Sequence, residues 1–306
     1  MKHYIVRRLL LLIPVVWGVS TLVFLLIHLI PGDPIEVMLG ETALAVDKEA
    51  LRRELRLDLP LTQQYLEFLG GLARLNLGRS LFTQQTVWEA IRAALPATAQ
   101  LALAALAIAV CIAVPLGTLA AVKRNTLVDR GAMLVALLGV STPTFVLAPL
   151  LVLAFAIGLG ALPVSGRAGP SSLLLPALTL GVGMAAILSR MVRSSLLEVL
   201  RQDFITMAFA KGLPRRRVVL HHALRNALIP VLTLLGLQLG GLLSGAIITE
   251  TIFAWPGLGR LIFQAIQSRD HPMVQGCVLS IALTYVMVNL ATDLLYALVD
   301  PRVRHR

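Results

Sequence analysis

Six stretches of the chain contain no Lys, Arg, Asp or Glu: residues 9–32, 93–122, 131–166, 168–189, 226–249 and 271–292. A helix needs about 20 mostly apolar residues to cross roughly 30 Å of hydrocarbon, so each predicts a membrane span. The third has room for one helix and a short loop, and Pro143 and Pro149 predict a kink in it that lines a path. The fourth is the shortest and holds Gly181 and Gly183, which makes it the weakest helix former of the six. The sixth reads on to Val299, placing Asp293 inside a helix as a structural partner near Asn289. Backbone groups in lipid must be satisfied within their own segment, so the fold class is all-α, a polytopic membrane protein with six transmembrane helices.

The polar stretches carry the remaining pattern. Residues 33–92 form a small external helical cap, with helices over 47–57 and 62–74 separated by Pro60. Leu51 and Leu55 share one face, as do Leu66 and Leu69, and Glu49 is placed to pair with Arg53 at i,i+4. A short amphipathic helix over 87–95 leads into the second span. Three parts follow: residues 1–30, the cap over 31–95, and a five-helix core over 96–306.

Composition agrees: 57% of the 306 residues are hydrophobic and 14% charged, with a mean hydropathy of +0.83. Soluble domains carry about 25% charged residues. Basic residues set the orientation. With six spans, 17 basic and 4 acidic residues fall on the side holding both termini, against 10 and 11 on the other. Both termini are therefore expected in the cytoplasm. The net charge of +11 is a topology signal, and no nucleic-acid partner is implied. Residues 9–30 are too long for a signal-peptide core, and Pro31-Gly32-Asp33-Pro34 stands where a cleavage site would be, so the segment stays. Cys111 and Cys277 imply neither a disulfide framework nor a metal site.

The longest cytoplasmic segment, 190–228, reads as two helices. Leu196, Leu200, Phe204 and Ala208 recur every four residues as one apolar stripe, Gly212 stops the first helix, and Pro214 starts the second. Such a hairpin either rests on anionic lipid or docks a cytoplasmic partner as a lever joined to spans four and five. Adjacent His221 and His222 point in different directions and suit a surface role.

Asp203-Phe204-Ile205, Ala210-Lys211-Gly212-Leu213 and His222-Ala223-Leu224-Arg225-Asn226-Ala227 resemble the cytoplasmic loop of the dipeptide, oligopeptide and nickel family of ABC importer permeases. The resemblance extends to Arg7-Arg8, Pro31-Gly32-Asp33-Pro34 and Leu57-Asp58-Leu59-Pro60-Leu61. It continues through the run from Glu250 to Arg260, which contains Trp255-Pro256-Gly257-Leu258-Gly259, and through Asp293-Leu294-Leu295-Tyr296-Ala297 and Asp300-Pro301-Arg302. The wider importer pattern is Glu-Ala-Ala, three residues, Gly, then Ile-x-Leu-Pro. With Gly212 as its Gly, its first positions are Thr206, Met207 and Ala208, and its Pro position falls on Arg225. The acidic contact of that pattern is absent here.

The resemblance implies a type I ABC importer permease fold and a transport subunit that is not an enzyme. It implies a second homologous permease, two cytoplasmic ATPase subunits and an external substrate-binding protein, with ATP and Mg on the ATPases and no cofactor in this chain. The chain carries no G-x-x-x-x-G-K-[ST] phosphate cradle. The implied ATPase contact is Leu200, Asp203, Phe204, Thr206, Met207, Ala208, Ala210, Lys211 and Gly212. Gly236, Gly240, Gly241 and Gly245 have the spacing for close helix approach, within the subunit or against the sister permease. Trp255, Pro256 and Gly257 mark a folded-back turn at the outer mouth, sealing a gate or meeting the binding protein. The ligand stays open among dipeptides, oligopeptides, nickel complexes, glutathione and haem. An intramembrane protease lacks its H-E-x-x-H motif here. An ion-coupled secondary transporter, the alternative reading, would need midplane ionisable groups in repeated halves, and only Asp293 qualifies.

Overall fold

The computed structural model describes residues 2–29, 34–39, 44–54, 57–74 and 76–299. Fourteen α-helices follow one another there. They are α1 (Lys2–Leu29), α2 (Pro34–Leu39), α3 (Ala45–Glu54), α4 (Leu61–Ala73), α5 (Val87–Val122), α6 (Leu127–Ser141) and α7 (Thr144–Leu151). After these come α8 (Leu174–Val199), α9 (Asp203–Ala210), α10 (Arg215–Arg217), α11 (Leu224–Gly245), α12 (Ile247–Ile252), α13 (Leu258–Gln267) and α14 (His271–Val299). Among the described residues there is no strand, only an isolated bridge between Arg79 and Thr86. Four helices there are long and apolar enough to cross a membrane, or five if α6 and the helix after it form one broken span; α1 contributes the shorter apolar segment Ile13–Leu25. Residues 31–33 and 300–302 of the sequence motifs, and the side chain of Asp293, lie outside the described residues.

The chain forms two compact units, Met1–Thr98 with Pro256–Val286, and Ala99–Trp255 with Met287–Arg306. In the first, the cap helix α4 lies on α1. Thr21 and Phe24, one turn apart on α1, meet Tyr65 and Phe68, one turn apart on α4. The Thr21 and Tyr65 hydroxyls lie 2.6 Å apart, and the Phe24 ring sits 5.2 Å from Tyr65 and 5.9 Å from Phe68. Leu66 is exposed, and the larger aromatic area of Tyr65 and Phe68 goes inward. Glu49 and Arg53 do pair, at 3.7 Å, in solvent. The 87–95 helix is the first part of one continuous α5. Where α5 starts, a Cβ on Gly276 of α14 would collide with Val87. Buried Asp270 leads into α14 and holds the loop before α5, accepting from Ser80 Oγ at 2.5 Å and from Leu81 N at 3.3 Å.

The second unit is built around α8, whose Leu175, Leu188, Val192 and Leu196 are almost wholly buried. Here the fourth span is present, and α8 runs 26 residues without a break. Its glycine serves contact. A Cβ on Gly181 would stand 2.9 Å from the Ala105 carbonyl oxygen of α5, and one on Gly117 of α5 only 2.5 Å from the Ser189 carbonyl oxygen of α8. Close approach at both crossings offsets the helix-propensity cost of glycine. The third stretch breaks at Pro143, one of the two prolines expected to kink it. The chain turns 103° between Leu127–Ser141 and Thr144–Gly158. Pro143 drives Thr142 into extended backbone (φ −87°, ψ 113°), which ends one helix and starts another. Pro149 sits inside α7, ahead of a π segment, Val152–Gly158.

Candidate coupling hairpin and the neighbouring sites

The hairpin sits between α8 and α11. α8 ends at Val199, and Leu200–Gln202 form a turn. Gln202 is extended (ψ 150°) and precedes α9, whose first residue Asp203 puts a negative charge at the positive end of the helix. The far end closes in a Schellman motif. Gly212 has φ +76°, its N–H bonds the Phe209 carbonyl at 2.9 Å, and the Leu213 N–H reaches the Ala208 carbonyl at 3.4 Å. Leu213 and Ala208 then join one apolar cluster, the contact that accompanies this cap. Only a residue without a Cβ takes that φ at no steric cost. Pro214 follows in extended backbone, and α10 passes through a π segment, Val218–Ala223, directly into α11.

The expected four-residue stripe does not lie along one helix. Leu196 belongs to α8 and Leu200 to the turn beyond it, and both pack into the chain's own core with Val199, Ile205 and Ala208. The break at 200–202 rotates α9 so that Ile205 and Ala208 face inward, 1% and 8% exposed. Phe204, Met207 and Phe209 are left outward at 40%, 59% and 44% exposure. Asp203, Thr206, Ala210, Lys211 and Gly212 are also exposed. So α9 is apolar on two faces, one filled by its own core.

A feature the sequence reading missed holds the same end of α8. Arg193 grips Asp129 of α6 with two bonds, Nε to Oδ1 at 2.6 Å and Nη2 to Oδ2 at 2.7 Å. Asp129 is 3% exposed and also accepts from the Asn125 N–H at 2.9 Å. Both charges lie in stretches counted as loops, so only their opposite signs at the ends of consecutive spans hinted at the pair.

The glycines of α11 do not act alike. A Cβ on Gly236 would strike the Thr292 side chain of α14, which makes this contact internal to the subunit, whereas one on Gly241 meets nothing within 4 Å. Gly240 is buried, and the surroundings of Gly245 lie outside the described residues. Trp255 is 1% exposed. It ends a second Schellman turn, its N–H bonding the Glu250 carbonyl at 2.8 Å, with Ala254 at φ +49°. The Arg167 guanidinium stands 5.7 Å from its ring centre and bonds Gln100 at 2.9 Å. Pro256 and Gly257 fall in the first unit: Pro256 is exposed, while buried Gly257 precedes α13, where Leu258 N–H bonds Thr98 Oγ1 at 2.8 Å. Among the described residues no group of three or more His, Cys, Asp or Glu could hold a metal ion.

Apolar helices of membrane-spanning length, with a braced hairpin between α8 and α11, define a polytopic membrane protein. Residues 113–305 match the family described as "Binding-protein-dependent transport system inner membrane component", and residues 1–102 match its N-terminal companion. The chain belongs to this family of ABC importer permeases. It is 46% identical to the di/tripeptide transport system permease protein DppB of Pseudomonas aeruginosa (strain UCBPP-PA14), with all of both chains covered. It is 42% identical to dipeptide transport system permease protein DppB of Escherichia coli (strain K12) and 40% to glutathione transport system permease protein GsiC of the same strain, again over all of each chain. Among solved structures, the inward-facing MetNI methionine ABC transporter matches with a TM-score of 0.58 at 20% identity, over 69% of this chain and 96% of that one. That likeness concerns the fold. The chain is thus a permease subunit of a bacterial inner-membrane ABC importer and not an enzyme, and the ion-coupled alternative is set aside.

Proposed function

We propose that this permease pairs with a homologous second permease to form the path for small peptides, delivered by an external binding protein. Six spans, with both termini in the cytoplasm and a cap over 31–95, is the arrangement the charge distribution supports. Two cytoplasmic ATPases, which bind ATP and Mg, supply the energy. Residues 200–212 receive their motion. The observation that carries this is the two-faced α9. Ile205 and Ala208 anchor it to the ends of α5, α8 and the second arm of the hairpin (α10 with the π segment Val218–Ala223), while Phe204 and Met207 stand one turn apart on the outside. A braced helix with a free apolar face transmits a push to both spans it joins. The di/tripeptide, dipeptide and glutathione permeases among its relatives favour short peptides as cargo. Trp255, Pro256 and Gly257 serve the outer mouth in this reading, and Gly241 the sister permease.

Phe204→Asp tests the docking role. It adds a charge to an exposed apolar anchor and leaves the inner face alone. A hot-spot loss of at least about 2 kcal/mol abolishes co-purification of the ATPase while the permease still reaches the membrane at its normal level. Normal assembly and peptide uptake in that variant would refute the role.

A further inference from the structure

A second apolar feature of the hairpin is lined by no residue of α9. The last turns of α5 and the second arm enclose a groove of about 550 Å³, within the 300–1,000 Å³ typical of ligand sites. Thr118, Leu119 and Val122 line one wall, Val219 and Leu220 the other. Leu119 and Leu220 are 44% and 48% exposed. The rim is cationic. Arg215 donates one bond to the Val122 carbonyl at the end of α5, at 3.3 Å, and Arg216 also borders the groove. Neither forms an ion pair with any described residue. Thr118 Oγ1 is the one buried side-chain polar atom among the described residues with no hydrogen-bond partner.

An apolar slot ending in two uncompensated guanidinium groups, on helices of a membrane permease, complements a molecule with an apolar tail and an anionic head. We infer that the groove binds one anionic glycerophospholipid. Its acyl chain lies between Leu119 and Leu220, and its phosphate meets Arg215 and Arg216. Arg215 is preset for this by its bond to Val122, so less side-chain freedom is lost on binding. The lipid would wedge the second arm of the hairpin against α5 and stiffen the lever. Because the groove is separate from the outward face of α9, the site does not depend on the docking role of Phe204.

Native mass spectrometry of the purified full chain, with phosphatidylglycerol or phosphatidylcholine of identical acyl chains added, tests it. Each basic residue near an anionic surface contributes about 1 kcal/mol, so the R215Q/R216Q double variant should lose roughly 30-fold in phosphatidylglycerol retention at low salt. R217Q, outside the groove, should lose far less. L119W or L220W, which fill the slot from either wall and are each checked for unchanged helicity and elution volume, should lose retention with both arginines intact. Equal losses in R217Q and the double variant would reduce the effect to general positive charge and overturn the site. So would undiminished retention in both tryptophan variants, or a disulfide from Leu119→Cys into the sister permease, which would give the groove to a protein.

Discussion

Removing Arg193 should strand a buried charge where α6 meets α8 in the second unit. In Arg193→Met the Asp129 carboxylate, 3% exposed in the native chain, keeps only the Asn125 N–H at 2.9 Å. Breaking a buried pair from one side costs about 3–5 kcal/mol, because the remaining charge is stranded. The Arg193 side chain is 26% exposed, so water reaches part of the vacated site and the lower end applies, about 3 kcal/mol. Asp129→Leu combined with Arg193→Met removes both charges, and such double replacements are often neutral or stabilising. Arg193→Lys keeps the charge but loses the two-pronged geometry, so it falls between. Unfolding of the detergent-solubilised chain, followed by circular dichroism against denaturant, gives all four values. The double variant should recover most of the loss in Arg193→Met. A loss under about 0.5 kcal/mol in the single variant, or a double variant worse than either single one, would refute the assignment of a stabilising buried pair.

Two further outcomes follow from local geometry. Gly212→Ala places a Cβ at φ +76° and should cost about 1–2 kcal/mol, read as roughly tenfold faster amide hydrogen exchange across α9; Gly212→Asn should recover part of it, and unchanged exchange in the alanine variant would remove the cap from the argument. Gly117→Ala drives a methyl into the Ser189 carbonyl and should destabilise by about 1–3 kcal/mol in the same denaturant assay, while Gly131→Ala in α6, with nothing within 4 Å of its Cβ, should be neutral or slightly stabilising; equal effects at the two sites would deny the α5–α8 contact.

What the sequence could reveal depended on whether a property is local. Apolar length is local, so the helices that begin at Val87 and His271 and the span running through Leu224–Gly245 were legible. Gly212 was legible as a stop because its φ is a one-residue requirement. The stripe through Leu196 and Phe204 failed because α8 stops at Val199 with no Gly or Pro to announce it. Gly181 looked like a weakness because the α5 backbone it touches lies some 75 positions away. Asp129 looked like a loop charge because burial of a carboxylate depends on a partner, and Arg193 is 64 residues distant. A proline announces a break, as at Pro143, but not an angle of 103°.

The second arm of the hairpin ties the elements at this end of the second unit into one block. In a π turn residues five apart lie one above the other, unlike in an α-helix. Val218 and Ala223 are five apart, and both are 0% exposed. The extra residue in that turn lets the helix put Val218, Val219 and Ala223 onto the shared core and then continue unbroken as α11 through Ala227 and Val231, which are also buried. The core itself joins Ala121 from the end of α5, Leu196 and Val199 from α8, and Ile205 and Ala208 from α9. The Arg193–Asp129 pair adds α6 to the same end of α8. A force on α9 therefore meets a close-packed block. Packed cores shift between discrete arrangements and do not deform continuously, so a push on α9, in the proposed coupling role, would reach α8 and α11 as rigid bodies. Loosening the block at Val218 or Ala223 should uncouple the push on α9 from those two helices while leaving α9 itself folded.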